Sequence, residues 1–179
     1  TTPTINGPAG APITVTTTPG FGLTVAAGNG VQISGGGTNT GISFVDTNAS
    51  TISASINGIR AFHYGSGALS ITSTGTASGT SGYGIIARNS ANGTDLTITA
   101  NDSSGGQSGI GTYNAGSGAL SVTSTGTATG TSGYGIAVRN SASGTSLTIT
   151  ANNTTGGLDG INTFNAGSGA LSITSTGTA

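Results

Sequence analysis

The side chains of this chain that could do acid–base, nucleophilic or metal chemistry are few. The 179 residues include one histidine, four acidic residues and no cysteine. A serine hydrolase needs a serine, a histidine and an aspartate held together, and a polysaccharide-cleaving site needs clustered carboxylates, often with calcium. The candidates for such chemistry are Asp46, His63, Asp95, Asp102 and Asp159. Whether they can meet depends on the elements that carry them.

A 51-residue repeat organises most of the chain. The phrase GSGALSITSTGTA starts at Gly65 and returns at Gly116 and Gly167, and Val122 is its one change. Gly-Ile pairs divide each repeat into two units of 25 or 26 residues. Each unit holds two short runs in which apolar and polar residues alternate. This alternation predicts β-strands with one buried face.

We therefore predict an all-β fold, a right-handed parallel β-helix with coils of about 25–26 residues. A single unit has too few apolar residues to close a core, whereas stacking pairs each strand with its copies above and below. Regular coils are expected over 58–179, and an N-terminal cap with irregular coils over 1–57. In the cap, Gly41–Ile42 resembles the start of a shortened coil and puts Asp46 four residues after the isoleucine, at the offset of the asparagine ladder described below. The four prolines also lie there, where they need not join a central ladder.

The repeat places equivalent residues in rows along the helix axis. Three rows are predicted to form the core: Ile59, Ile85, Ile110, Ile136 and Ile161; Leu69, Leu96, Leu120, Leu147 and Leu171; and Ile71, Ile98, Val122, Ile149 and Ile173. Small residues are expected to line the narrow interior beside the first row: Ala61, Ala87, Thr112, Val138 and Thr163.

Four residues after each Gly-Ile isoleucine lies a row that we interpret as a structural asparagine ladder. Its members are His63, Asn89, Asn114, Asn140 and Asn165. Asparagine tolerates the left-handed conformation of a tight turn, and stacked amides can hydrogen-bond to one another. This interpretation makes the single histidine a turn residue and not a base.

The aspartates fall at different offsets within the repeat, so no carboxylate pair is expected. Asp102 corresponds to Asn153 one repeat later, and Asp95 corresponds to Ser146. The sequence therefore predicts no catalytic residue, no metal site and no cofactor, and we expect that the chain is not an enzyme.

One outward row alternates aromatic residues with arginines. Guanidinium–aromatic contacts between exposed neighbours contribute about 0.5–1 kcal/mol. The row is either a stripe that stabilises coil pairing or a candidate strip for binding a sugar or a protein partner. Its members are Phe62, Arg88, Tyr113, Arg139 and Phe164. Tyr83 and Tyr134 precede every second Gly-Ile pair and are expected on the same side.

Charge excludes some partners. The chain has three arginines, no lysine and a net charge of −1. Without a basic patch to neutralise phosphates, nucleic acid is not an expected ligand. No apolar run reaches the length that spans a bilayer.

The repeats resemble the passenger regions of bacterial type V autotransporters. The resemblance rests on the Gly-Ile coil starts, on GTDLTITAN and GTSLTITAN, and on the GSGALSITSTGTA phrases, and it covers 58–179 far better than 1–57. It implies a β-helix at the cell surface, on the extracellular side of the outer membrane, or a secreted one. It also implies an outer-membrane β-barrel translocator in the full-length protein, of which this chain would be a passenger fragment.

Two classes of function follow. The first is an adhesin or adhesin stalk that binds a glycan or protein on a host or neighbouring cell. The second is a self-assembling extracellular fibre formed by stacking of coils. A third alternative is an ice-binding protein, suggested by outward threonines at 72, 74 and 76 and at 123, 125 and 127.

Overall fold

Residues 2–179, which the computed structural model describes, form 16 β-strands and no helix. The successive coils of the β-helix are numbered here as turns 1 to 7. Turns 1 and 2 have three short strands each: β1 (Thr4–Asn6), β2 (Ile13–Thr16) and β3 (Leu23–Val25), then β4 (Val31–Gly35), β5 (Ile42–Asp46) and β6 (Thr51–Ala54). Turns 3 to 7 have two each: β7 (Ile59–His63) and β8 (Gly67–Gly79); β9 (Ile85–Asn89) and β10 (Gly93–Gly105); β11 (Ile110–Asn114) and β12 (Leu120–Gly130); β13 (Ile136–Asn140) and β14 (Leu147–Gly156); β15 (Ile161–Asn165) and β16 (Leu171–Ser175).

The strands stack into three walls of a parallel β-helix. The first wall is a seven-stranded sheet in the order β1-β4-β7-β9-β11-β13-β15. In the other sheet, β8 pairs through its first half with β5 and through its second half with β6, so the long strands continue from the second wall into the third. A register shift between Ala100 and Ser103 marks this corner in β10. The predicted parallel β-helix is confirmed.

Strand register follows the repeat and builds the core. Ile85 pairs with Ile59 and Ile110, and Leu96 pairs with Leu69 and Leu120. Inward side chains alternate with outward ones, as period-2 geometry requires. The members of the three predicted core rows from turns 3 to 6 are buried, each at most 1% exposed. Burial of these β-branched and leucine side chains on every turn provides the hydrophobic stabilisation that no single turn could supply.

Hydroxyl groups interrupt the apolar interior at the corner between the second and third walls. Four hydroxyl oxygens there are buried without a hydrogen-bond partner: Oγ of Ser73, Ser103 and Ser124, and Oγ1 of Thr154. Apart from Asp46, which pairs with Ser73, the residues paired with these four on adjacent turns are alanines, for example Ala100 beside Ser124. Hydroxyls in one row therefore lie two turns apart, too far to bond to each other.

The prediction that Gly41–Ile42 starts a shortened coil is wrong. Ile42 pairs with Leu69, so this segment is the second-wall strand of turn 2. The first-wall strand of that turn begins at Val31, which follows Gly30 and pairs with Ile59. A Gly-Val pair has taken the place of Gly-Ile, and alternation alone does not reveal to which wall a strand belongs. Turn 2 is consequently longer than the regular turns, since 28 residues separate Val31 from its partner.

Candidate functional site

The outward row of the first wall brings the predicted strip together. Cα pairing runs without interruption through Phe62, Arg88, Tyr113, Arg139 and Phe164, on β7, β9, β11, β13 and β15. Adjacent members are therefore one strand spacing apart, about 4.8 Å. Tyr113 is 43% exposed and Phe164 is 54% exposed, so both rings are available to a ligand.

Arginines of the first wall stack on aromatic rings. Cζ of Arg88 lies 5.2 Å from the centre of the Phe62 ring, and Cζ of Arg139 lies 5.6 Å from that of Phe164. Arg60 approaches Phe62 still more closely, at 3.7 Å. Sequence reasoning missed Arg60, although it precedes Phe62 by two residues and so points to the same face of the sheet. These contacts hold the arginine side chains against the wall.

The two predicted tyrosines border a groove on this wall. The ring of Tyr83 covers Gly111, where a Cβ would lie 2.5 Å from Cε1 of the ring. The groove has a volume of about 820 Å³, and its lining also includes Tyr134, Arg88, Tyr113, Arg139 and Phe164. We call this depression the wall groove. Phe62 lies outside it, beside Arg88. Gly111 and Ala137 lie in the row next to the strip. The Tyr83 ring occupies the space over Gly111, and the small side chain of Ala137 leaves room between Tyr134 and the strip.

Charge is distributed unequally around the solenoid. All three arginines lie in outward rows of the first wall, on β7, β9 and β13. No carboxylate is among the described residues that line the wall groove. Asp95 and Asp102 lie on β10 and accept hydrogen bonds from the backbone N–H groups of Ala119 and Thr127. The wall groove is thus a positive region on a chain of net charge −1.

The remaining aspartates are held apart. Asp46 is fully buried and accepts a hydrogen bond from Oγ1 of Thr17 at 2.6 Å and from Nδ2 of Asn48 at 3.1 Å. It pairs with Ser73 in the second wall, whereas Gly35 pairs with His63, so the ladder position expected for Asp46 is wrong. Asp159 lies in the loop before β15. Within residues 2–179, no three His, Cys, Asp or Glu side chains converge.

The predicted ladder residues occupy the last position of successive first-wall strands. His63, Asn89, Asn114 and Asn140 are buried. Nδ1 of His63 lies 2.9 Å from Oδ1 of Asn89, and amide groups join Asn114 to Asn140 at 3.3 Å and Asn140 to Asn165 at 3.0 Å.

These amides also form hydrogen bonds with the short loop that follows each first-wall strand. Nδ2 of Asn114 donates to the carbonyl of Gly118, and Oδ1 accepts from the N–H of Gly116. The expected left-handed backbone is wrong, because no non-glycine residue within 2–179 has a positive φ. The asparagine side chain, rather than an unusual backbone conformation, satisfies the backbone polar groups of this loop.

The threonines singled out for ice binding separate into different rows. Thr72 continues as threonine on every regular turn, at Thr99, Thr123, Thr150 and Thr174. Thr76 pairs with Asp102 and Thr127 with Asn153, so that row is mixed. Ice binding stays a prediction.

No helix within residues 2–179 has the length and apolar character needed to cross a membrane. Comparison with protein-family models, with curated proteins and with solved structures finds no match for this chain. The function proposed below is therefore based on the residues of the wall groove.

Proposed function

We propose that this chain is a non-enzymatic binding module, an adhesin or adhesin stalk, and that the wall groove holds a glycan. By its resemblance to autotransporter passengers, we place it at the cell surface or among secreted proteins. Its partner would be a glycan, alone or on a glycoprotein, of a host or neighbouring cell.

The observation that carries the proposal is a set of four aromatic rings on one wall, two of them exposed and two half-buried. Sugar rings present a face of C–H groups that packs against an aromatic ring, and aromatic anchors dominate the energy of many binding sites. Tyr83, Tyr113, Tyr134 and Phe164 bring four rings to one groove. Because they stand on strands of one continuous parallel sheet, or in the turns just before them, a ligand does not have to order them on binding.

Affinity electrophoresis of the purified chain tests this function. Native gels would contain dextran, galactomannan or unsulfated chondroitin, one polysaccharide at a time. We expect retardation by at least one of them, and loss of that retardation in the double variant Tyr113→Ala/Tyr134→Ala.

Tyr64→Ala is the matched control, because Tyr64 is 53% exposed but lies outside the groove. It should be retarded like the wild type. Equal retardation of the double variant and the wild type, or no retardation by any of these polymers, would contradict the proposal.

A self-assembling fibre is the second candidate, and the near-identical regular turns favour it. The chain has only three arginines and four aspartates, whereas charged side chains at strand edges normally prevent edge-to-edge association. Negative-stain electron microscopy across a concentration series tests this candidate: uniform filaments support it, and short rods at every concentration contradict it.

A further inference from the structure

We propose that the glycan bound in the wall groove is an acidic linear polysaccharide, with an anionic group on alternate sugars, lying along the solenoid axis. This inference rests on the proposed function and names the chemical class of its ligand. Arg88, Arg139 and Tyr113 carry the argument.

The two arginines of the groove are separated by one aromatic residue in the same row. Arg88 and Arg139 both pair with Tyr113, one on each side, so their Cα atoms lie two strands apart, about 9.6 Å. The guanidinium groups lean away from Tyr113, towards Phe62 and Phe164, so the two charges lie farther apart than these Cα atoms, at a separation of a disaccharide length or more. A polymer along the axis would therefore bring its acidic groups to both arginines while a sugar between them packs on the exposed ring of Tyr113.

The aromatic contacts leave the arginines able to bind an anion. Arg88 stacks towards Phe62 and Arg139 stacks towards Phe164, which are on opposite sides of Tyr113. Stacking occupies a face of the planar guanidinium, whereas the N–H groups that bind a carboxylate lie along its edge. Both side chains are also exposed, so a polymer can approach these edges.

The distribution of charge favours an acidic over a neutral polymer. The arginines face no carboxylate in the lining of the groove. Of the four aspartates, Asp46 is buried among its own hydrogen-bond donors, and Asp95 and Asp102 lie on β10 in the other sheet. Asp159 is exposed in the loop before β15 and is not among the residues that line the groove. Arginine therefore dominates the electrostatic potential along the groove.

Isothermal titration calorimetry with two matched polymers tests the inference. The first is unsulfated chondroitin, which has a carboxylate on every second sugar. The second is the same polymer after reduction of its carboxyl groups, which keeps the sugar backbone and removes the charge. We expect the chain to bind chondroitin at least about tenfold more tightly than the reduced polymer, with an affinity that falls as salt is raised.

Variants identify the groups responsible. Arg88→Gln/Arg139→Gln should lower the affinity for chondroitin about tenfold or more, because two charge-assisted contacts are lost. Arg60→Gln, which removes an arginine of the same wall outside the groove, should change it less than about twofold. Thermal melting of each variant establishes that the fold is retained.

The outcomes separate the inference from the function on which it rests. Equal binding of both polymers, or an unchanged affinity in the double arginine variant, overturns the acidic ligand and leaves the groove as a site for neutral glycans. Failure to bind chondroitin also overturns it. The glycan-binding function itself fails only if the tyrosine variant Tyr113→Ala/Tyr134→Ala is indistinguishable from the wild type or no polysaccharide is bound.

Discussion

The ring of Tyr83 lies over Gly111 of the following turn, so closely that a Cβ at position 111 would be 2.5 Å from Cε1 and 2.6 Å from Cδ1 of the ring. In the row of Gly111, the neighbouring residues are Ile86 and Ala137. The Tyr83 ring can lie there because position 111 has no side chain. A margin of the wall groove thus depends on a contact between two turns.

Replacement of Gly111 by alanine should displace the Tyr83 ring and weaken glycan binding. The ring is partly exposed and can rotate towards solvent, so we expect a small change in stability but an affinity that falls about three- to tenfold. Quenching of tyrosine fluorescence by acrylamide should increase. Ala137→Gly, in the same row, is the control and should leave quenching unchanged. If Gly111→Ala quenches like the wild type, the ring is not held by this contact.

Asn114 should be among the polar residues that matter most for stability. Its side chain bonds to Gly116, Gly118 and Asn140, and it is fully buried. Asn114→Ala leaves these groups without partners, and we expect a loss of about 3 kcal/mol in the free energy of unfolding. Urea denaturation measures this loss. Asn92→Ala, at an exposed turn position, should cost less than about 0.5 kcal/mol; equal losses in the two variants would show that the ladder is not a stabilising element.

His63 should be replaceable by asparagine. It is the one member of the ladder that is not asparagine, and its Nδ1 lies 2.9 Å from Oδ1 of Asn89. Asparagine can donate the same bond from a smaller side chain, so we expect His63→Asn to stay within about 1 kcal/mol of the wild type. His63→Ala removes the donor and leaves a cavity, and should cost about 2 kcal/mol or more. Similar melting temperatures for the alanine variant and the wild type would count against a structural role for this histidine.

Ser124 gives a prediction of the opposite sign. Its hydroxyl group is buried without a partner, and Ala100 is paired with it on the preceding turn. Ser124→Ala removes an unsatisfied polar group, so we expect stability to rise by up to about 1 kcal/mol. Ala61→Ser, at a buried position whose paired neighbours Ile33 and Ala87 have no hydroxyl, places an unsatisfied hydroxyl in the interior and should lower stability by about 1 to 3 kcal/mol. Chemical denaturation of the two variants side by side provides the measurement, and a destabilised Ser124→Ala would mean that the hydroxyl has a partner in solution.

The repeat made the fold and most of its rows predictable. A residue that recurs every 25 or 26 positions pairs with its own copy, because stacked turns align equivalent strands. The core rows and the Phe62–Phe164 strip therefore follow from spacing alone. Turns 1 and 2 lack this guide because they differ from the repeat in length and sequence, so the Gly41–Ile42 pair falsely predicts a coil start.

By itself, then, the sequence determined which residues share a row and whether each points inward or outward, since both depend only on the repeat and on the period-2 geometry of a strand. Contacts between different rows were decided by the tertiary structure. Tyr83 reaches Gly111, Arg60 stacks on Phe62, and the Asn114 amide binds the turn that follows its strand. The reason is that such contacts depend on side-chain rotamers and on the close approach of neighbouring turns in three dimensions, which no spacing along the chain specifies.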